Sequence, residues 1–152
     1  MPREAALCEL LLAIALVAFS SEPQEIRGER GLVATVWART SSPARTSELT
    51  ERAIYSSISP GEILGRIRFH GVWRDYRGQE VPAGIYTLRY AVQPLLKDHA
   101  GTSRWRDFAI VGERDGHPWV MALVPPNEAD FVMTLGDMRI GMLIEVSAES
   151  AF

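Results

Sequence analysis

Hydrophobic positions follow two different patterns along this chain. The first is an unbroken apolar run, Leu10–Phe19, which is preceded by Arg3 and followed by a polar stretch. As a helix, ten residues would span about 15 Å, half the hydrocarbon thickness of a bilayer, so the run is too short to cross it. It is typical of a secretory signal peptide, and the small residues Ala18 and Ser20 predict cleavage after Ser20. An uncleaved membrane anchor and a buried N-terminal helix stay open as alternatives.

The second pattern is an alternation of apolar and polar residues, which begins after this leader. In residues 85–92, one face carries Tyr86, Leu88, Tyr90 and Val92, and the other carries Ile85, Thr87, Arg89 and Ala91. Residues 63–70 alternate in the same way, with Ile63, Gly65, Ile67 and Phe69 opposite Leu64, Arg66, Arg68 and His70. A period of two is expected of a half-buried strand, so both segments are predicted as strands.

Turn signals divide the remaining chain into further short segments. Strands are predicted at residues 32–38, 51–56, 105–111, 119–124 and 139–146, with a weak strand or short helix at 130–135. Asp115-Gly116 predicts a hairpin tip. The polar residues 21–31 predict a linker, so a single domain covers residues 32–152. The spacing favours an antiparallel β-sandwich, jelly-roll or immunoglobulin-like, with an open barrel as the alternative.

Composition narrows the class of protein. Loss of residues 1–20 would leave 132 residues, enough for one domain, and would remove the only cysteine, Cys8. The mature chain would then lack thiols, which excludes disulfides and cysteine nucleophiles. Its 15 basic and 17 acidic residues give a net charge of −2, which predicts no nucleic-acid partner and leaves the membrane as a partner only through an uncleaved leader.

The richest basic stretch lies between residues 62 and 80. It carries Arg66, Arg68, Arg74 and Arg77, with Glu62, Asp75 and Glu80 interspersed. Mixed charges at this spacing favour solvated ion pairs on a sheet face over a phosphate-binding patch.

Four short segments occur in a fixed order over about residues 60–111. They are DYRGQ at 75–79, VPAGIYTLRY at 81–90, DHAGTS at 98–103 and RDF at 106–108. The series resembles a group of uncharacterised exported bacterial proteins that share DYRGQ, PAGxYTLRY, DHxG and RDF segments. The resemblance implies export, and it implies no particular activity.

The loops at residues 73–79 and 98–104 are the predicted contact surface, provided that the 93–98 segment folds back to bring them together. The candidate binding residues are Trp73, Asp75, Tyr76, Arg77, Asp98, His99 and Arg106. The structural alternative for the first loop is a tight turn braced by an Asp75–Arg77 ion pair. An Arg89–Asp107 pair between strands is also expected.

Large aromatic side chains must fill the core of a domain that lacks disulfides. Trp37, Trp105 and Trp119 lie in apolar strands and are predicted to be buried there. Trp73 lies in a connection, where core packing and ligand contact are equally compatible with the sequence.

Signals for catalysis are weak. The three histidines, His70, His99 and His117, form no closely spaced pair, and the chain has no nucleophile-elbow motif. A metal site would need the loops to bring His99, His117, Asp98 and Asp115 together.

The sequence thus predicts an exported, non-catalytic binding or accessory module without a cofactor, located in the periplasm or outside the cell. Its partner would be a small molecule, a glycan or an envelope protein. A metal-assisted hydrolase and a structural subunit of an envelope assembly are the alternatives.

Overall fold

The computed structural model describes residues 17–29, 31–93 and 104–144, and no α-helix occurs in this part of the chain. Within these ranges the elements are β1 Gln24–Gly28, β2 Gly31–Ala38, β3 Ile63–Phe69, β4 Trp73–Arg74, β5 Glu80–Val81, β6 Gly84–Val92, β7 Asp107–Arg114, β8 His117–Val124, a 3₁₀ turn Pro126–Glu128, β9 Phe131–Leu135 and β10 Met138–Met142. In the same ranges, no helix has the length and apolar character needed to span a membrane.

Eight strands form one antiparallel sheet in the order β1-β2-β3-β6-β7-β8-β10-β9, and β4 pairs with β5 in a separate ribbon. The sheet curves until its two ends approach each other. A Cβ added to Gly65 on β3 would lie 3.2 Å from Sδ of Met133 on β9. Arg45, after β2, lies 3.9 Å from the carboxylate of Asp137 in the β9–β10 turn. The prediction of an antiparallel all-β fold is confirmed, and the nearly closed barrel describes it better than two facing sheets.

Several of the strands predicted from the sequence are present in the structure. Residues 32–38, 63–70 and 85–92 correspond to β2, β3 and β6, and the 119–124 segment lies within β8. Asp115 and Gly116 have φ values of +52° and +79°, as a two-residue hairpin between β7 and β8 requires. The 130–135 segment is the strand β9, not a short helix.

Two boundary predictions differ from the structure. The segment 21–31, predicted as a linker, contains β1, because its backbone pairs with β2 from Gln24↔Val36 onward. The segment 51–56, predicted as a short strand, forms turns, and its polar backbone groups bond elsewhere in the fold.

The chain joins the sheet before β1. The amide of Ser20 donates to the carbonyl of Ala38 at 2.7 Å, and the amide of Thr40 donates to the carbonyl of Ala18 at 3.0 Å. Phe19 therefore lies beside the end of β2. Most of the leader lies outside the described residues, and cleavage after Ser20 stays a prediction.

The barrel interior is filled by the inward side chains of the alternating strands. Among the fully buried residues are Phe69, Leu88, Tyr90, Met121 and Ile140. Leu64 is also fully buried, although its alternation placed it with the exposed arginines of β3. The register between β3 and β6 shifts between Ile63 and Gly65, and this bulge turns Leu64 inward.

Tryptophan positions confirm the core prediction only in part. Trp119 is buried, whereas Trp37 and Trp105 are half-buried. Trp73 is 5% exposed; its ring stacks on Phe69 with centroids 4.5 Å apart, and its Nε1 donates to the carbonyl of Ile144 at 2.8 Å. Trp73 therefore belongs to the core.

A second apolar cluster lies on the other face of β7 and β8. It consists of Tyr76, Phe108, Val120, Ala122 and Val124, with Trp105, Ala129 and Leu143 packed against it. We call this set the outer cluster. Because β8 is buried on both faces, its sequence is an unbroken apolar run over Trp119–Val124.

Candidate functional site

The predicted contact loop at residues 73–79 is held by the carboxylate of Asp75. Its Oδ1 accepts from the amides of Arg77 at 3.0 Å and Gln79 at 2.8 Å. Its Oδ2 accepts from the Gln79 side chain at 3.0 Å and from the amide of Val120 at 3.0 Å. Gly78 has a φ of +83°, which a residue with a side chain rarely adopts. Aspartate, glycine and glutamine of the DYRGQ segment thus have geometric roles in one tight turn.

This turn covers an edge of β8. The strand β10 pairs with β8 only at Leu123 and Val124, so the edge before them lacks a strand partner. There the amide of Tyr76 donates to the carbonyl of Val120 at 2.9 Å, and Val120 donates back to Asp75. The turn therefore satisfies backbone groups that would otherwise be exposed for pairing with another chain.

Three of the candidate binding residues in this loop are too deeply buried to form a ligand-binding surface. Trp73, Asp75 and Tyr76 are 5%, 2% and 7% exposed, respectively. Arg77 is exposed, and Asp75 bonds to its backbone amide; no ion pair of its side chain occurs among the described residues. The predicted Asp75–Arg77 brace is therefore wrong, because backbone and amide donors fill the carboxylate instead.

A second buried carboxylate, Asp107, organises the barrel interior. Its two oxygens accept from the amides of Ile54 at 2.8 Å and Tyr55 at 2.7 Å, and Oδ1 also accepts from the hydroxyl of Tyr90 at 2.7 Å. The predicted Arg89–Asp107 pair is wrong. Asp107 points inward at 1% exposure, whereas Arg89 is exposed on the opposite face and donates to the carbonyl of Gly61.

Tyr55 extends this network across the barrel. Its hydroxyl donates to the carbonyl of Val124 at 2.6 Å and accepts from the amide of Gly141 at 3.0 Å, linking β8 to β10. Burial raises the pKa of Tyr55 and of Tyr90, and the nearby carboxylate of Asp107 raises the pKa of both further. Sequence reasoning missed Tyr55, because its position between two turns carries no alternation.

Among the predicted binding residues that the structure describes, Arg106 is the one whose geometry is unusual. It is 6% exposed, and its Nη1 is buried without a hydrogen-bond partner. No carboxylate of the described residues forms an ion pair with its guanidinium. Its chain neighbour Trp105 packs against the outer cluster, and Phe108, two residues later, belongs to that cluster.

Histidines and acidic residues do not converge in the described part of the chain, where no group of three metal-ligating side chains occurs. His117 and Asp115 are exposed at the β7–β8 hairpin. His70 bonds to the hydroxyl of Thr35 at 2.8 Å on another part of the sheet. Asp98 and His99, the other candidate ligands and also candidate binding residues, lie outside the described residues.

A cleft of about 270 Å³ opens between the β1–β2 hairpin and the residues Asp130 and Ile144. None of the expected binding residues with described positions lines it. The cleft and the contact loop at residues 73–79 are therefore different places on the molecule.

Comparison with known protein families, with curated proteins and with solved structures finds no match to this chain. Function is therefore inferred from the geometry alone.

Proposed function

We propose that this chain is an exported, non-catalytic binding module whose ligand is a small anion or an anionic group held by Arg106. The observation that supports this is the buried guanidinium with an unpartnered Nη1. The other residues of the predicted contact set with described positions are structural or solvent-exposed. Within the described ranges, Arg106 alone combines burial with unused hydrogen-bonding capacity.

Burying an arginine without a partner is costly. A charged group taken out of water loses several kcal/mol of hydration unless hydrogen bonds and an opposite charge replace it. Asp75 and Asp107 show how this fold treats other buried charges, since each accepts at least three hydrogen bonds. No carboxylate of the described residues compensates Arg106 in this way, and we propose that an anionic ligand does so.

The chemistry of the guanidinium defines the ligand class. Its planar donors match two oxygens of a carboxylate or a phosphate, and it stays charged at any physiological pH. The burial of Arg106 would strengthen that interaction by excluding water. A small carboxylate or phosphate-bearing molecule is therefore the proposed ligand.

The two alternatives from the sequence have less support. A metal-assisted hydrolase would use His99 and His117 with Asp98 and Asp115. Of these, His117 and Asp115 stand exposed at a hairpin tip, and His99 and Asp98 lie outside the described residues. A structural subunit of an envelope assembly would be distinguished by a stable oligomer in light scattering.

Anion-dependent stability tests the proposal. The full chain is unfolded thermally in phosphate, in acetate and in chloride at matched ionic strength. A ligand at ten times its Kd stabilises the folded state by about 1.4 kcal/mol, roughly 5 °C for a domain of this size. Calorimetric titration with inorganic phosphate and with acetate then gives the stoichiometry.

Two substitutions separate the roles of neighbouring arginines. Arg106→Met keeps the length of the side chain and removes the charge, so it should unfold at a higher temperature than wild type in chloride and lose the anion response. Arg104→Met is the matched control, because Arg104 is exposed and pairs with Glu128 at 3.5 Å. It should keep the response. Wild-type protein that shows no anion response, together with a destabilised Arg106→Met, would overturn the proposal.

A further inference from the structure

The outward faces of three neighbouring strands carry one sign of charge. On β3, Arg66 and Arg68 alternate with buried residues and point outward. The register places Arg66 beside Thr87 and Arg68 beside Ile85 on β6, and Arg89 follows two residues after Thr87. Side chains at these spacings lie about 5–8 Å apart. We call the outward side of β2, β3 and β6 the arginine face.

The arginine face has no carboxylate of its own. The outward residues of β2 between Ala34 and Ala38 are Thr35 and Trp37, and those of β6 between Arg89 and Gly84 are Thr87 and Ile85. The whole chain has a net charge of −3, so the rest of it carries −6 against +3 on this face. The fold therefore separates positive charge on the arginine face from net negative charge elsewhere, and the near-neutral composition does not reveal this separation.

None of these three arginines forms an ion pair among the described residues, whereas Arg39, just after β2, pairs with Glu62 and Arg74 on β4 pairs with Glu80. Arg66 lies over the ring of Phe19, 4.7 Å from its centroid. The expectation of solvated ion pairs thus describes Arg74 and not the arginines of β3.

Exposed aliphatic residues border this face. Antiparallel pairing brings the start of β2, the end of β3 and the start of β6 to one end of the barrel. Leu32, Val72 and Ile85 lie there and are 37%, 68% and 60% exposed. The described part of the chain has five exposed large hydrophobic side chains, and these are three of them. Such clustering marks an interaction surface, whereas scattered single residues would not.

We propose that the arginine face docks on an anionic phospholipid surface. Arginines bind the headgroup phosphates, and the aliphatic residues at the rim enter the interface. Phe19, the last residue of the apolar run Leu10–Phe19, lies under Arg66. In a chain whose leader is not cleaved, this basic face therefore follows directly on an apolar segment, which favours lipid over an acidic protein as the occupant.

The size of the effect follows from the number of charges. Each basic residue near an anionic surface strengthens binding roughly fivefold, so three strengthen it roughly a hundredfold. The effect should decline steeply with salt, since exposed charges are screened within about 10 Å at 0.1 M. Neutral membranes should bind only through apolar contacts.

Vesicle co-sedimentation with the full chain tests this inference. Binding to vesicles of pure phosphatidylcholine is compared with binding to vesicles that contain phosphatidylglycerol. The apolar leader contributes to binding in both cases, so its contribution cancels in the ratio of the two affinities. Wild type should prefer the anionic vesicles roughly a hundredfold, and the triple variant Arg66→Gln, Arg68→Gln, Arg89→Gln should lose most of that preference. A triple variant at Arg45, Arg114 and Arg139, which are exposed on other elements, removes the same charge and should keep it.

Three results would overturn the inference: equal binding by the two triple variants, equal binding of wild type to both vesicle types, or binding to soluble polyglutamate with no preference for anionic vesicles. Circular dichroism shows that each variant is folded. Arg106→Met should keep the vesicle preference, so this inference and the proposed anion site succeed or fail separately.

Discussion

The hydroxyl of Tyr90 provides the sharpest test of how the barrel interior is held together. Tyr90 is 1% exposed, and its hydroxyl donates to Asp107 at 2.7 Å. Tyr90→Phe removes one hydrogen bond to the carboxylate of Asp107. The two backbone amides that also donate to this carboxylate, those of Ile54 and Tyr55, stay in place. Because a hydrogen bond to a charged group contributes about 1.5–3 kcal/mol, we expect a loss of that size in the free energy of unfolding.

Tyr86 supplies a matched control from the same strand. Its hydroxyl donates to the carbonyl of Pro82 at 2.6 Å, but this bond is accessible to water. Water can replace the lost partner, so Tyr86→Phe should cost less than about 1 kcal/mol. Both variants remove one oxygen from one tyrosine, so their difference isolates the buried carboxylate.

Urea unfolding at pH 7, followed by tryptophan fluorescence and circular dichroism, gives both values. The slope of the free energy of unfolding against urea concentration should be unchanged. An unchanged slope shows that each variant alters stability and not the surface exposed on unfolding. A double-mutant cycle with Asp107→Asn should give a coupling of about 1–2 kcal/mol. Equal losses for the two tyrosine variants, or no coupling, would refute the role of Asp107 as the centre of the network.

Three further predictions concern the turn, the core and alkaline pH. Asp75→Ala should lower the free energy of unfolding in urea by about 3 kcal/mol or more, because four buried or half-buried donors lose their acceptor. Glu80→Gln, which breaks an exposed ion pair, is the control and should lower it by less than about 0.5 kcal/mol. Trp73→Phe should cost about 1–3 kcal/mol, since it removes the indole hydrogen bond and part of a stacked pair; no measurable loss would contradict its place in the core. Burial raises the pKa of Tyr90 and of Tyr55, so above pH 10 only the unfolded chain releases the protons of these two hydroxyls. The free energy of unfolding should therefore fall by about 1.4 kcal/mol per pH unit because of Tyr90, and Tyr55 should add to this fall. Urea midpoints between pH 9 and 12 measure this fall, Tyr90→Phe should reduce its slope, and a flat profile in wild type would contradict it.

Strands that bury one face could be predicted from the chain alone. In β6 the inward residues Leu88 and Tyr90 alternate with outward Thr87 and Arg89, and this pattern is local. The ribbon β4–β5 could not be predicted, since two residues carry no period and its position depends on Phe69 and on the edge of β8.

The candidate sites divide in the same way. Arg106 is a candidate binding residue on the sequence and lies in the RDF segment, yet only the structure shows that its Nη1 is buried without a partner. Asp75 and Tyr76 are candidates of the DYRGQ segment, and the structure places them in a structural turn. A motif of this kind reports that residues are needed together, and it does not tell whether folding or binding needs them.

The sequence by itself determined most of the longer strands and the antiparallel class, because side-chain alternation and turn residues act over a few positions. Only the tertiary structure decided that one sheet closes almost into a barrel, and that Asp107 bonds to the amide of Tyr55, 52 residues earlier. It also decided that Arg66, Arg68 and Arg89 share a face without acidic residues. These features depend on strand order and register, which bring distant residues together and which no local pattern of hydrophobicity or charge encodes.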